Sequence, residues 1–257
     1  MKASEKFIAY QTIVIREILR FSRIWVQTIV PPMVTTALYF VIFGNLIGER
    51  IGPMEGHQYI DYIVPGLIMM AVITNSYANV VTSFYGTKFQ HHIEEMLISP
   101  VPYYVILLGF ITGGIARGLA VGVAVTIVAA FFSPIQVHNL FVIFSMIVLT
   151  SMLFSLAGFI NGVFARSFDD ISLVPTFVLT PLTYLGGIFY SINLLPAFWQ
   201  NLSLFNPILY MVNAFRYGFL GVSDISLGLS YGITLIFISA LYLSSLYFLK
   251  KGYGIKT

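Results

Sequence analysis

Long apolar runs, separated by short polar segments, dominate the hydrophobic pattern of this chain of 257 residues. A helix needs roughly 20 mostly apolar residues to cross the hydrocarbon core of a bilayer. Continuous runs of that kind indicate helices rather than barrel strands, which alternate over segments of about ten residues. The pattern therefore predicts an all-α integral membrane protein with six transmembrane helices, at residues 24–47, 62–85, 102–132, 140–164, 171–190 and 227–249.

Residues 1–23 have the pattern of an amphipathic helix. Three arginines at spacings of four and three share one face, and apolar side chains share another: Arg16, Arg20 and Arg23 opposite Phe7, Tyr10, Val14, Ile18 and Phe21. This pattern is typical of an interfacial helix on the inner leaflet, with its arginines at anionic lipid phosphates. Two roles stay open, an anchor that fixes topology and a lever that a partner moves.

The predicted cytoplasmic segment 88–101 has the sequence pattern of a second, short amphipathic helix. Its apolar positions follow helical spacing, and polar side chains fill much of the remaining surface: Phe89, Ile93, Met96 and Leu97 against Lys88, Gln90, His91, Glu94 and Glu95. The adjacent Glu94 and Glu95 disfavour an anionic lipid surface and favour docking to a cytoplasmic protein. In the next inner loop, Asp169 or Asp170 is expected to cap the fifth span, and a second contact with the same partner is the alternative.

The outer segment 191–222 combines helix breakers with an apolar composition that an aqueous loop would not have. It contains Pro196, Trp199, Asn206 and Pro207. We expect it to dip back into the outer half of the bilayer as a re-entrant hairpin that plugs or gates a pathway, with Trp199 in the aromatic belt.

Within the spans, Asn75 and Asn79 lie four residues apart on one face of the second helix. They are expected either to bridge helices or to line a path. Arg117 is the one full charge deep inside a predicted span, which makes it a functional candidate, although the sequence reveals no counter-ion for it. Glycines at positions 114, 118 and 122 predict close helix packing.

The composition supports the membrane assignment, since 58% of the residues are hydrophobic and 9% are charged. A soluble domain carries about 25% charged residues, so an ordinary soluble enzyme is excluded. The net charge of +3 has a topological cause rather than a nucleic-acid partner, because a cytoplasmic N-terminus puts ten of the thirteen Lys and Arg residues inside. Both termini are then cytoplasmic. The ten are Lys2, Lys6, Arg16, Arg20, Arg23, Lys88, Arg166, Lys250, Lys251 and Lys256, while Arg50 and Arg216 lie outside.

Motifs for chemistry on this chain are absent from the sequence. There is no G-x-x-x-x-G-K-[ST] loop for ATP, no H-E-x-x-H zinc helix and no G-x-S-x-G nucleophile elbow. We therefore expect no cofactor or metal here. Two alternatives to a transporter stay open: a lipid-modifying membrane enzyme using His91, His92, Glu94 and Glu95, and a passive channel.

Several segments together resemble the type-2 ATP-binding cassette exporter permeases of bacteria. They are IVPPMVTTALYFVIFGNLIG (29–48), YIVPGLIMMAVITNSYANV (62–80), KFQHHIEEMLISPVP (88–102), FARSFDDISLVPTFVLTPLTYLGGIFYS (164–191) and NPILYMVNAFRYGFLG (206–221). Each motif is loose, but their joint order over nearly the full length makes the resemblance specific.

The resemblance implies one transmembrane domain over residues 1–257 in the bacterial inner membrane. It implies a permease homodimer that binds two copies of a separate ATPase subunit, which carries ATP and Mg. Residues 89–97 would be the coupling helix, and the outer segment after span five would form re-entrant helices that close the pathway. Substrate, a drug, glycan or lipid-like molecule, would pass between the protomers along spans one, two and five. The candidate coupling residues are Phe89, Ile93, Glu94, Glu95, Leu97, Asp169 and Asp170; the pathway candidates are Asn75, Asn79 and Arg117; the outer-gate candidates are Pro196, Trp199, Asn206 and Pro207.

Overall fold

The computed structural model describes residues 2–254, with all their side chains except those at positions 45 and 49, so Lys256 lies outside the described residues. Regular structure in this range is helical apart from an isolated bridge between Met54 and His57. The α-helices are α1 (Ala3–Arg23), α2 (Trp25–Tyr39), α3 (Gly48–Ile51), α4 (Tyr59–Phe89), α5 (His92–Ile98), α6 (Tyr103–Ala129), α7 (Leu140–Phe164), α8 (Asp170–Val174), α9 (Thr180–Tyr184), α10 (Ala197–Ser203), α11 (Pro207–Leu220) and α12 (Leu227–Lys251).

Five helical segments of the described chain are long and apolar enough to cross a membrane. They are Trp25–Gly44, Tyr59–Phe89, Tyr103–Ala129, Leu140–Phe164 and Leu227–Lys251. These correspond to predicted spans one, two, three, four and six, and the first includes part of a π-helical stretch, Phe40–Ile47, that continues α2.

The predicted fifth span differs from the other five. Helix α8, a π-helical turn at Pro175–Leu179 and α9 form a run that ends at Tyr184, so residues 185–190 are not helical. Two prolines, Pro175 and Pro181, contribute to this break-up because each lacks a backbone donor for a regular helical bond. At about 1.5 Å per residue the run is shorter than a bilayer core. The six-span count is therefore not established by the helices alone.

Helix α4 forms the centre of the bundle and packs mainly against α6 and α7. Its mostly apolar segment is 83% buried, against 17% for the segment beginning at Trp25 and 22% for α12. The glycines of α6 at 114 and 118 face Ser155 and Ser151 of α7, and Gly122 faces Val72 of α4. The predicted close packing at these glycines is confirmed.

Helix α1 packs against α6, and its side chains bond to Asn79 and Ser83 in the C-terminal half of α4. Gly109 and Gly113 of α6 leave space for Ile13 and Glu17, since a Cβ at Gly113 would lie 2.5 Å from Cβ of Glu17. The buried face of α1 is therefore Ile13, Glu17 and Phe21. Two residues of the predicted apolar face, Phe7 and Ile18, are exposed and available to lipid.

Candidate functional site

The C-terminal end of α4 leads into α5 after a short turn, at the position predicted for the coupling helix. His91 separates the two helices because its backbone is left-handed, with φ of 61°. Its Nδ1 lies 3.0 Å from Oε1 of Glu94. The left-handed residue ends α4, so Phe89 belongs to α4, and α5 is shorter than the range 88–101 predicted for a coupling helix.

One side of α5 is anchored and the other faces outward. Ile93 is buried and Leu97 half-buried against the bundle, whereas Glu94 and Glu95 are exposed. Ile98 is 86% exposed. Two carboxylates and an aliphatic side chain are therefore exposed together on this helix; we call Glu94, Glu95 and Ile98 the α5 surface.

The second inner loop lies against the α4–α5 junction. The Phe168 ring contacts those of Tyr85 and Phe89, with centroids 4.9 and 5.3 Å apart. Nζ of Lys88 donates to two carbonyl groups at the C-terminal end of α7, at 2.7 and 2.8 Å. The structure therefore holds segment 165–170 beside the junction, so the two predicted cytoplasmic contact segments are neighbours.

Asp170 is the residue that caps the turn before α8. Its Oδ2 accepts the backbone N–H groups of Arg166 at 2.8 Å and Ser167 at 3.2 Å, and its own N–H donates to Oγ of Ser167 at 3.1 Å. The Arg166 N–H first, and then the Ser167 hydroxyl, hold the pKa of Asp170 below its ordinary value. Asp169 is exposed, and its side chain makes no cap bond.

A buried carboxylate that sequence reasoning missed connects α1 to α4. Glu17 is fully buried and pairs with Arg16 and Arg20, each at 3.2 Å. Ser83 donates to it at 2.7 Å. The signal in the sequence was its position four residues from both Ile13 and Phe21, where an acidic side chain interrupts the apolar face.

The intramembrane polar residues predicted from sequence come together around α4. Nη2 of Arg20 donates to Oδ1 of Asn79 at 2.7 Å, and Nη2 of Arg117 donates to Oδ1 of Asn75 at 3.0 Å. The two amides, one helical turn apart, thus bridge α4 to α1 and to α6. The head of Arg20 points into the protein rather than toward lipid phosphates, contrary to expectation. Arg117 has no carboxylate within ion-pair distance in the described part of the chain.

A single stripe of α4 is accessible along the otherwise buried helix. Every fourth position from 70 to 90 is exposed or half-exposed, while nearly all positions between are buried. We call these residues the α4 stripe: Met70, Thr74, Ala78, Thr82, Gly86 and Gln90. The hydroxyls of Thr74 and Thr82 donate to the carbonyls of Met70 and Ala78, so their oxygens can still accept a bond. The stripe thus exposes mainly small and hydroxyl-bearing residues.

The neighbours of α4 meet near its two ends. Near the N-terminal end of α4, the Phe189 ring contacts Tyr39 at 5.7 Å, Phe43 at 5.0 Å and Tyr184 at 6.1 Å between centroids, and the Tyr59 hydroxyl of α4 donates to the Phe189 carbonyl at 3.0 Å. At the C-terminal end, Phe168 contacts α4 as described above. These contacts connect the two ends of α4 with the segments that lead into and out of α8–α9, and the Phe189 ring also contacts α2.

Both neighbouring elements also expose polar residues along one face. On α2 these are Gln27 and Thr35, with the exposed Pro31 between them, and on α8–α9 they are Ser172, Thr176 and Thr180. Polar side chains in membrane helices generally face protein or water rather than lipid. These faces are therefore the best candidates for a pathway, and none of their hydroxyl residues had been singled out as a site.

The outer segment forms two helices around the predicted gate residues. Asn206 is buried and caps α11 by accepting the N–H of Ile208 at 3.0 Å, while its Nδ2 donates to the carbonyl of Leu182 at 2.6 Å. Pro196 and Pro207 stand at the starts of α10 and α11. Trp199 is 46% exposed. The structure thus assigns Asn206 a capping role and leaves Trp199 free for contact.

Arg216, which sequence reasoning counted on the outer side without a partner, is a buried residue. It is 1% exposed, with its guanidinium carbon 3.9 Å from the ring centroid of Tyr62. Nη2 donates to the carbonyl of Gly187 at 2.5 Å, and Nε and Nη1 have no partner among the described residues. This arginine ties α11 to the outer end of α4 and to the turn after α9.

Comparison with known proteins agrees with these features. Residues 8–220 match the ABC-2 type transporter family. The chain is 59% identical to the inner membrane transport permease YadH of Escherichia coli K12, over 98% of each chain.

More distant relatives carry a different name. Nodulation protein J of Rhizobium leguminosarum bv. viciae is 22% identical over 92% of each chain. Nodulation protein J of Rhizobium meliloti is 23% identical over 84% of this chain and 83% of that protein.

Proposed function

This chain belongs to the ABC-2 type transporter family and is a membrane permease subunit of an ABC transporter, and we propose that it exports its substrate along the α4 stripe. The observation that carries the proposal is the line of small and hydroxyl side chains exposed on the most buried helix. Contact of these polar groups with lipid is unfavourable. A second permease copy facing them would form a pathway lined by α2, α4 and α8–α9 of both protomers.

A topology with six crossings and both termini in the cytoplasm is part of the proposal. Five crossings would put Lys250 and Lys251 on the opposite side from Arg16, Arg20 and Arg23, which the positive-inside rule disfavours. Helices α8 and α9 supply the sixth crossing, and their short run is completed by the outer segment 191–222. Pro196 and Trp199, with the Asn206–Pro207 cap, then lie in the segment that closes the outer end.

Coupling to the ATPase is assigned to the α5 surface, with Asp169 as a second contact. Family membership implies an ABC ATPase partner, which would hold ATP and Mg. ATP-driven closure of the ATPase dimer moves the permease only if the dimer binds its two states with different affinity. Because α5 follows α4 after a short turn, a displacement of α5 is passed to the helix that lines the pathway. Asn75, Asn79 and Arg117 connect that helix to α1 and α6.

Site-directed cysteines test the pathway directly, because the native chain contains no cysteine. We expect Thr74→Cys and Thr82→Cys to react with a charged thiol reagent at a rate that changes when the ATPase partner binds ATP. Ile236→Cys, at an exposed apolar position of α12, is the matched control and should stay unreactive. Disulfide cross-linking between two copies of Thr74→Cys tests the homodimer.

The same measurement separates a transporter from a passive channel. Equal reactivity of Thr82→Cys with and without nucleotide would contradict the proposal and favour a channel.

A second experiment tests the α5 surface. In the co-purified complex, the double substitution Glu94→Gln and Glu95→Gln should reduce the stimulation of the partner's ATP hydrolysis by the permease. Glu5→Gln, an exposed acid at the start of α1, is the control. Unchanged stimulation in the double variant would remove α5 from the coupling interface.

A further inference from the structure

A cavity of about 420 Å³ lies between the inner half of α1 and the inner end of α4. Its α1 wall carries Arg16, Arg20 and Arg23. Its α4 wall carries hydroxyl and amide groups at Thr82 and Gln90. The cavity is therefore polar, although it lies in a protein whose surface is largely apolar.

Positive charge exceeds negative charge on the cavity lining. Glu17 is the one carboxylate among the described lining residues, and its side chain is 1% exposed. Its oxygens are occupied by Arg16, Arg20 and Ser83. Three arginines against one carboxylate leave a formal excess of two positive charges, and Arg23 has no ion-pair partner in the described range. An anion in the cavity would meet both this charge and free hydrogen-bond donors.

The cavity is continuous with the proposed pathway. Thr82, Gly86 and Gln90 line the cavity and also form the inner end of the α4 stripe. Leu19 on the α1 wall is exposed and apolar. A molecule with a charged head and an apolar body could bind its head among the arginines while its body lies along α1 and the bilayer.

We propose that this cavity binds a phosphate group of the transported molecule, so that the substrate class is phosphate-bearing. The inference rests on the proposed function, because it takes the α4 stripe as the pathway. The planar guanidinium group presents several N–H donors that match phosphate oxygens, often in pairs. The side-chain amide of Gln90 on the α4 wall can add an N–H donor, and Glu17 holds Arg16 and Arg20 in orientation rather than competing for the ligand.

Binding to the permease alone in phosphatidylcholine nanodiscs tests the site without the ATPase. Two probes distinguish the source of the phosphate: phosphatidic acid incorporated in the disc, and glycerol 3-phosphate in solution. We expect Arg23→Gln to weaken binding about tenfold, the effect of losing one charge-assisted hydrogen bond. Lys6→Gln removes a cation from the same helix outside the cavity, and it should leave binding unchanged.

The outcomes separate the site from a general attraction to anions. If phosphatidic acid binds more tightly than glycerol 3-phosphate, the result supports the site and assigns a lipid substrate. If glycerol 3-phosphate alone binds, the result supports the site and assigns a soluble substrate. Binding of neither probe, or equal weakening by Arg23→Gln and Lys6→Gln, would overturn the inference.

A second readout in the reconstituted permease–ATPase complex links the site to transport. The bound probe should stimulate ATP hydrolysis, and Lys6→Gln should retain this stimulation while Arg23→Gln loses most of it. Probe binding without stimulation would overturn the assignment as a substrate site. Failure of the two chains to form a complex would instead refute the proposed function, and nanodisc binding would still report on the cavity.

Discussion

Replacing Glu17 by Gln should destabilise the packing of α1 on the bundle, because Glu17 is the buried centre of the contact. The carboxylate accepts bonds from Arg16, Arg20 and Ser83 at 2.7 to 3.3 Å. Glutamine keeps one acceptor oxygen, but it turns the other position into a donor that faces Arg20. The substitution also removes the negative charge that balances two arginines.

The expected loss of unfolding free energy is about 2 kcal/mol. Removing one partner of a buried ion pair typically costs about 3–5 kcal/mol. The estimate is lowered here because the Arg16 and Arg20 side chains are 44% and 31% exposed and can be rehydrated. Arg20 also keeps its bonds to Asn79 at 2.9 and 2.7 Å.

Tryptophan fluorescence during unfolding in SDS–detergent mixed micelles can measure this loss. The chain has two tryptophans, so Trp199→Phe leaves Trp25, the first residue of α2, as the sole reporter next to α1. Glu5→Gln is the matched control, since Glu5 is exposed and its carboxylate accepts only the nearby N–H of Lys2 at 2.8 Å. We expect its effect to be about 0.5 kcal/mol or less.

A double-mutant cycle between Glu17→Gln and Ser83→Ala identifies the contact itself. A coupling energy of about 1 kcal/mol is expected for the lost hydrogen bond. If Glu17→Gln shifts the unfolding free energy no more than Glu5→Gln does, the buried network does not hold α1 in place, and the reasoning is refuted.

Three further predictions concern packing, the buried arginine and the inner loop. Gly158→Ala should lower the free energy of unfolding by about 1–3 kcal/mol, because a Cβ at this position would lie 2.5 Å from the Tyr77 carbonyl oxygen. Gly232→Ala, which has open space around it, should not lower it. Equal effects of the two substitutions would refute this prediction. Tyr62→Leu should lower the unfolding midpoint in mixed micelles more than Arg216→Met does. The tyrosine substitution leaves the Arg216 charge buried without the ring that it contacts, whereas Arg216→Met removes the charge. The reverse order would contradict this prediction. The pKa of Asp170 is depressed in the folded state. Its contribution to stability is therefore fully present above the ordinary carboxyl pKa and is lost as pH falls through the folded-state pKa. Asp170→Asn should lower the melting temperature at neutral pH but not in strong acid, and a difference that does not depend on pH would contradict this prediction.

Much of the fold could be predicted from the sequence because its causes are local. Apolar runs longer than a bilayer thickness form helices, since backbone groups cannot stay unpaired in hydrocarbon. The same local information predicted α1 and α5, with the acidic residues of α5 facing outward. The fifth span was harder to predict, because Pro175 and Pro181 divide an apolar run that looks continuous in a hydropathy window.

The candidate site was predicted only in part. Asn75, Asn79 and Arg117 were found because polar groups are rare in apolar helices, but their partners on other helices were not. Glu17 was missed, since nothing in the sequence of α1 specifies that Ser83 of α4 lies beside it. Arg216 was counted only as an outer cation, since the sequence does not reveal its partner, whereas the structure buries it against Tyr62.

By itself the sequence determined the environment of this protein, its helical segments and the side of the membrane expected to carry positive charge. These properties depend on the length and the charge of each apolar segment and its flanks, which the local sequence already contains. The tertiary structure alone decided which face of α4 is open. That helix is apolar around most of its circumference, so periodicity cannot distinguish its faces. The positions of α2, α6 and α7 leave the α4 stripe uncovered, and they bring α1 close enough to form the arginine-lined cavity at its inner end.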